Sequence, residues 1–481
     1  MPAPPTCGPM RPLAIASHEA YYGGWDAGVP IRQAKHRGPW TTLAGLATAA
    51  LCLVLLLCVR AGASTTTSLA GLVPFTSTVA SQPMVTSANQ ASQPMSRVLR
   101  RRDALFLAPT ATAAAFSLFR PKPVLAAPPP ELQYSLSWIT ENVQSTDFDL
   151  ENYGSMRDDE DRTGKFYKAI ERRMKGKEGK LVVLDVGTGP FALLAIAAAR
   201  AGAKKVYAIE ATPEIAVQAR KAIDEAGFSK VIEVLVGYST EITLPEKVDL
   251  LVGEIIGSVA SEESVYGTIR DAQARFMKEP SNPKSYIPQR VQTLVAPVSW
   301  PFHYMVAAEG REAAGLASGE GPIRLNCREE TVALMADAQT LEDFAYSDPN
   351  LPQGHWEAPP LSFQVSGKRI SENTRRYIDV LFGAGASVNE KDVASSVATG
   401  FSGMAMWPKL ILDEEDADLV VDARGPGGAP QKSHWQTVLA LMPDKPLPLR
   451  PGATIEVRGS ADFGAPLEPV GYSVATTVIP R

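Results

Sequence analysis

The stretch KLVVLDVGTGPFALLAIAAARAGAKKVYAIEA, residues 180–211, decides the fold. Residues 181–186 form an apolar, β-branched run, which predicts a buried strand. Gly187 and Gly189 permit a tight turn and close backbone approach. Residues 191–201 are continuous helix-forming sequence, and residues 206–209 are a second short strand running into Glu210. The unit is βαβ with an acid at the tip of its second strand, where a carboxylate can accept both hydroxyls of a bound ribose.

The alternation continues outward. Pro213 and Gly227 punctuate a helix over 213–227. VIEVLVG (231–237) and VDLLVGE (248–254) read as a third and a fourth strand. Strands alternating with helices imply a parallel sheet with right-handed crossovers, whose ligands bind beyond the carboxyl ends of the strands. Gly187, Gly189, Glu210, the run Ser239, Thr240 and Glu241, and Glu254 all fall at those ends. From about residue 289 the pattern changes. VQTLVAPV, MAMWPKLIL, WQTVLALM and ATIEVRG are short, β-rich and separated by Pro and Gly turns, as in an antiparallel β domain. Residues 306–347 carry acidic, helix-forming sequence. The fold class expected is α/β: a Rossmann-like parallel sheet (179–288) followed by an antiparallel β-barrel-like domain (289–481).

The 481 residues give room for two or three domains. The net charge of −5 conceals a split: residues 1–130 hold 11 Lys and Arg against Glu19, Asp26 and Asp103, and the remainder holds 36 bases against 49 acids. An acidic body disfavours direct nucleic-acid binding and suits a basic protein partner. The cysteines are Cys7, Cys52, Cys58 and Cys327, three of them in the basic leader. Neither a disulfide framework nor a zinc cluster fits that distribution, and no metal site is expected.

The leader is layered. LAGLATAALCLVLLLCV (43–59) follows Arg32, Lys35 and Arg37 and precedes Ala-Gly-Ala at 61–63, so residues 1–63 read as a signal peptide or a retained signal anchor. Residues 64–102 contain no acid and are rich in Ser, Thr, Gln and Ala, the composition of a plastid transit peptide. RRRDALFLAPTATAAAFSLF (100–119), with Val-Leu-Ala-Ala after it, resembles a twin-arginine signal. The series resembles the leaders of complex plastids, thylakoid-associated; the alternatives are a disordered linker over 64–130 and an endomembrane protein anchored by 43–59. Membrane contact is expected only through that apolar run, if it is uncleaved.

The glycine loop Gly187-Thr188-Gly189-Pro190-Phe191-Ala192 also fits the dinucleotide pattern of nicotinamide dehydrogenases. Against that reading, Asp185 sits two residues before the first glycine, as in methyltransferases that use S-adenosylmethionine, and no later segment resembles a hydride-transfer site. From about residue 148 to 460 the sequence resembles the protein arginine methyltransferases. VLDVGTG (183–189) and VYAIE (206–210) look like the cofactor strands, and EKVDLLVGEIIGSVASEE (246–263) looks like the double-glutamate loop, closest to the symmetric-dimethylating branch. YGSMRDDEDRTGKFY (153–167) looks like the N-terminal cofactor lid, and SHWQTV (433–438) like the loop that closes the substrate pocket. The chain departs from the family at Phe191, which replaces the third loop glycine, and at Gly253, which replaces a serine.

The resemblance implies S-adenosylmethionine as cofactor and a protein arginine as substrate. It places a helical cofactor lid at 131–178, with Met156 near the sulfonium and Arg162 on the methionine carboxylate. A dimerisation arm near 306–347 would make the protein a homodimer. Asp185, Gly187, Gly189, Glu210, Ser239, Thr240 and Glu241 would surround the cofactor. Glu254 and Glu263 would grip the guanidinium, leaving Glu262 to face solvent. His434, paired with Asp159, would accept a proton, and Trp435 would wall the substrate channel. The chemistry fits the residue types: a delocalised guanidinium is a poor nucleophile, and two carboxylates can bind its fork and aim one nitrogen at the methyl group. The competing readings are a weak or inactive methyltransferase-fold binding protein, given Phe191, and a small-molecule methyltransferase.

Overall fold

The computed structural model describes residues 131–140, 150–303, 321–425, 433–443, 445–465 and 467–480. The expected leader, 1–130, lies outside them. Among the described residues no helix is long and apolar enough to cross a membrane.

The described chain opens with strand β1 (Leu132–Ile139), then helices α1 (Leu150–Asp158) and α2 (Glu160–Met174). Next come β2 (Val182–Val186), α3 (Leu193–Arg200), β3 (Lys205–Glu210), α4 (Pro213–Glu225), β4 (Ile232–Val236), β5 (Leu250–Val252), α5 (Val265–Arg275), β6 (Tyr286–Ile287) and β7 (Arg290–Ser299). Strands β2 to β6 form one parallel sheet in the order β4-β3-β2-β5-β6. β2 is buried along its whole length, as the run VVLDV requires of a central strand covered on both faces. The chain goes from β2 to β3 on one side and later places β5 on the other. The carboxyl end of β2 is therefore the switch point where such sheets open a crevice. In the parallel half the expected strands and helices appear within two residues of their predicted bounds; the largest differences are that α3 begins at Leu193 and β5 spans only Leu250–Val252. Ala192 has φ 44° and ψ 41°, which holds the preceding residues in the loop.

The second half is antiparallel, as expected. Seven strands join in one sheet, with β7 between Gln339–Ala345 and Gly403–Ile411 and then Gln436–Leu441 and Ile323–Asn326 beyond. A five-stranded sheet runs from β1 through Gly471–Ile479 and Thr454–Phe463 to Gly354–Glu357.

Two expectations are corrected. The segment 131–178 is not wholly a helical lid: its start is β1, paired from Leu132 to Ile139 with the C-terminal strand. Leu132, Tyr134, Leu136 and Trp138 recur with a period of two, a strand signal that the later helical sequence overshadows. The described part of 306–347 is likewise strand, at Ile323–Asn326, Ala333–Leu334 and Gln339–Ala345; residues 304–320 lie outside the described set. Pairing with β7 and Gln436–Leu441 overrides local helix propensity there. Helices occur instead at Gly367–Tyr377 and Val388–Thr399.

Gly403 tests this packing. Its φ is +145°, and a Cβ there would overlap Ala440 O and lie 2.8 Å from Leu441 Cα. Gly403→Ala should lower the unfolding free energy by about 3 kcal/mol, measured by urea denaturation.

Candidate functional site

The loop after β2 is shaped by two left-handed glycines. Gly187 has φ +72° and a Cβ on it would meet Ile255 Cγ2 at 3.0 Å; Gly189 has φ +66° and would meet the Tyr153 ring at 3.3 Å. Glu210, at the tip of β3, accepts from Gly189 N and Thr212 N, both at 3.0 Å, and burial raises its pKa. One carboxylate thus ties the tips of β2 and β3 and keeps lone pairs for a ligand. Asp185 accepts from Thr188 Oγ1 (2.7 Å) and from Ala195 N (3.0 Å) in the first turn of α3. Ala192 cannot cap that helix with a side chain, so Asp185 does so from the neighbouring strand. Its other oxygen, Oδ1, is buried without a partner, and burial pushes the carboxyl up to about 6.

These groups line a cavity of about 220 Å³ with Met156, Tyr153, Arg162, Ser239, Glu254 and Glu263. The donor set suits a nucleoside joined to an amino acid: Glu210 has lone pairs to offer hydroxyl groups, Asp185 Oδ1 lacks a donor, and the glycines leave room at the backbone. Thr240 and Glu241, expected around the cofactor, are not among the residues that line this cavity, and Glu241 is exposed. The chain turns after Ser239, whose carbonyl accepts from Arg275 Nη2 at 2.5 Å.

Beyond β5, Glu254 is buried against Arg162. Arg162 Nε donates to Glu254 Oε2 at 3.0 Å, and its Nη2 reaches the same oxygen. Nη1 donates to Met156 O (3.3 Å) and Thr163 Oγ1 (3.1 Å). Burial alone would raise Glu254, but the Arg162 guanidinium and then His434 overcome it and hold the carboxyl down at about 2. Asp159 caps α2 by accepting from Arg162 N (3.2 Å) and also takes His434 N (3.1 Å) and Nδ1 (3.2 Å). His434 Nε2 then lies 3.6 Å from Glu254 Oε2, an electrostatic contact rather than a hydrogen bond. Although buried, Asp159 has its pKa lowered by those donors. Asp159, Arg162, Glu254 and His434 are therefore assembled as one buried cluster. Trp435 is 3% exposed, and its indole Nε1 donates to Ile256 O at 2.9 Å. It braces the loop from behind and is not the expected channel wall.

Glu263 differs from Glu254. It lines both the first cavity and a larger groove toward the β-rich half. Among the described residues it has no hydrogen-bond or ion-pair partner. Burial, then the charges of Glu254 and Glu262, push it up to about 8. Glu262, expected in solvent, is instead 7% exposed and forked onto Arg324, with Nη2–Oε1 at 2.6 Å and Nη1–Oε2 at 3.1 Å. Its partner lies 62 residues away, so no local pattern could reveal it.

The structure adds supports that the sequence did not single out. Ser261 Oγ donates to Glu342 Oε1 (2.7 Å) and lies 2.6 Å from Tyr472 OH; Thr293 Oγ1 donates to Glu342 Oε2 (2.5 Å) and accepts from Ala260 N (2.9 Å). A register shift between Thr340 and Glu342 turns this acid inward. Burial raises Glu342 to about 7. Among the described residues, Ala192, Ser264 and Leu467 are the non-glycine positions with positive φ. Ala192 ends the glycine loop, Ser264 follows Glu263, and Leu467 lines the first cavity. Strain is thus concentrated at the site.

A family model described as ribosomal protein L11 methyltransferase (PrmA) matches residues 163–264. An Arabidopsis thaliana protein named "Probable protein arginine N-methyltransferase 6" is 34% identical over 168 residues, 33% of this chain and 37% of that protein. Protein arginine N-methyltransferase PRMT10 of the same plant is 39% identical over 123 residues, 26% of this chain and 31% of that one. Protein arginine N-methyltransferase 7 of Gallus gallus is 34% identical over 158 residues, 30% of this chain and 23% of its own length. The matches therefore span about a third or less of each relative. Among solved structures, the Trypanosoma brucei PRMT1 enzyme-prozyme complex with AdoHcy aligns at TM-score 0.48 and 21% identity, covering 64% of this chain and 87% of that one. The Arabidopsis thaliana protein arginine methyltransferase 10 aligns at 0.47 and 18%, covering 68% and 97%.

The acids set a pH test. Glu263 rises from an ordinary 4.5 to about 8 in the folded protein, so the fold holds its proton there. Deprotonation accordingly opposes folding as pH rises from about 4.5 to about 8. Glu263→Gln removes that contribution. The variant should match wild type in stability near pH 4.5 and exceed it by about 1–2 kcal/mol at pH 9, measured by thermal and urea unfolding.

Proposed function

We infer that this chain, related through its cofactor-binding half to the protein arginine N-methyltransferases, is an S-adenosylmethionine-dependent methyltransferase acting on an arginine guanidino nitrogen of a protein. One observation carries the reading. Two loop carboxylates face one cavity in opposite states: Glu254 is fixed and ionised by Arg162, and Glu263 stands unpaired where that cavity meets a larger groove.

When bound, S-adenosylmethionine supplies a methyl group on positively charged sulfur. Glu210 would accept the ribose hydroxyls, Asp185 Oδ1 an available donor, and Arg162 would share its guanidinium between Glu254 and the amino-acid carboxylate. Met156 would pack beside the sulfonium. A substrate guanidinium entering along the groove would meet Glu263 first and Glu254 at depth. Binding it supplies the missing counter-charge at Glu263, whose proton affinity falls accordingly. With both acids ionised, the fork is held and one nitrogen is oriented for attack. The proton released from that nitrogen has a natural acceptor in Glu263, because Glu254 is held too acidic to take it. His434, fixed by Asp159, stands 3.6 Å from Glu254 and helps to orient it, so in this reading the proton-accepting role expected of His434 passes to Glu263.

Wild-type protein should transfer label from S-[methyl-³H]adenosylmethionine to an Arg/Gly-rich peptide, and Glu254→Gln and Glu263→Gln should each reduce transfer by about 10²-fold. Labelling by either variant at the wild-type level would overturn the arginine reading. Calorimetry should show binding of S-adenosylmethionine and none of NAD. Binding of S-adenosylmethionine without any transfer would support the inactive alternative, for which Phe191 on the cavity wall is the motive.

We further propose delivery to a plastid, on the composition of residues 1–130. A fluorescent fusion of those residues should report plastid signal; endomembrane signal would sink this location.

A further inference from the structure

The groove beyond Glu263 has an uneven charge pattern. Among its described lining residues the acids are Glu262, Glu263 and Asp462. Asp462 is paired with His355 at 2.7 Å, and Glu262 is forked onto Arg324. Among the described residues Glu263 has no ion-pair partner, and the nearest counter-charge acting on it, Arg162, is engaged with Glu254. Glu262 is also held rigidly. Its Oε2 accepts Val259 N at 3.0 Å, and its side chain occupies space that Gly257 leaves open, since a Cβ there would lie 2.5 Å from Glu262 Cβ. Arg324 is placed by its strand, where it pairs with Val438 on the strand that follows His434 and Trp435. The result is a preorganised carboxylate fork, adjacent in sequence to the substrate acid and already filled by an arginine of the chain itself.

We propose that Arg324 is a specificity-determining residue: it occupies a second guanidinium site at Glu262, so the groove accepts one arginine flanked by uncharged residues and discriminates against a second arginine nearby. This deepens the arginine-methylation reading and rests on it. A bidentate guanidinium–carboxylate pair satisfies both partners, and the guanidinium left facing the groove repels another cation. The Arg324 side chain is 35% exposed, so its charge is felt in the groove.

The test compares kcat/KM for two peptides of equal length, one with a lone arginine among glycines and one with an Arg-Gly-Arg pair. Wild type should gain nothing from the second arginine. Arg324→Gln should raise the ratio of paired to lone peptide at least tenfold, mainly through KM, because Glu262 becomes available. Arg324→Gln/Glu262→Gln should return the ratio to the wild-type value. Glu262→Gln alone removes the carboxylate that offsets the Arg324 charge at the groove and should raise KM at least fivefold, more for the paired peptide; this variant retains an acceptor for Val259 N and keeps the test open if Arg324→Gln fails to fold. An unchanged ratio in Arg324→Gln, an equal rise in the double variant, or an unaltered KM in Glu262→Gln would overturn the proposal while lone-peptide labelling upheld the underlying activity. Labelling of neither peptide by wild type would overturn both.

Discussion

The buried contact of Arg162 with Glu254, closed by His434 and Asp159, is the constraint on which the site depends. Its members come from the amino end of α2, the end of β5 and the loop before Gln436–Leu441. The cluster therefore joins the lid, the parallel sheet and the antiparallel half at one point. Such a cluster is poor evidence for stability, since desolvating its charges costs about as much as their attraction returns. Its contribution is specificity of arrangement. A shift of the lid or of the His434 loop would strand a charge in a dry site, so the two halves are driven to one relative placement.

That placement divides the labour of the loop acids. Glu254, satisfied by Arg162, is ionised at any ordinary pH; Glu263, unpaired, is uncomfortable unless protonated or met by a cation. An acid held without an ion-pair partner in a partly buried place costs stability, as groups kept for function commonly do. The loop can hold it because it is pinned elsewhere. Ser261 and Ala260 are tied from below through Glu342 and Thr293, Glu262 is locked to Arg324, and Ser264 turns the chain left-handed into α5.

Much of this was legible in the sequence, and the limits are instructive. The buried strands, the glycine loop and Glu210 announce themselves through apolar runs and turn residues, because those features are local. The strand-end position of Glu254 is legible in the residues, whereas its pairing with Glu263 and that of His434 with Asp159 come from family resemblance. Glu262 was misplaced because its burial depends on Arg324, which sits in a stretch whose composition favours a helix and whose tertiary pairing makes it a strand. Glu342 was invisible for a related reason: a single bulge reverses which face an acid takes, and no alternation pattern encodes a bulge. β1 did carry a period-two signal, and only its partner at the far end of the chain gives it meaning.

The replacement of the third loop glycine by Phe191 can now be judged on conformation. A positive φ favours glycine, and in this loop the residues with positive φ are Gly187, Gly189 and Ala192; Phe191 is not among them. The backbone therefore tolerates Phe191, and the strain falls one residue later, on a fully buried alanine at a cost of about 1–2 kcal/mol. Phe191 instead faces the lid, where the Arg157 guanidinium lies 5.0 Å from its ring centroid. That contact joins the glycine loop to α1, the helix that carries Tyr153 and Met156 at the cavity. Phe191 thus stands on the cavity wall and holds α1 against the glycine loop, so the departure from the glycine pattern is a matter of packing at the cavity and not of backbone conformation.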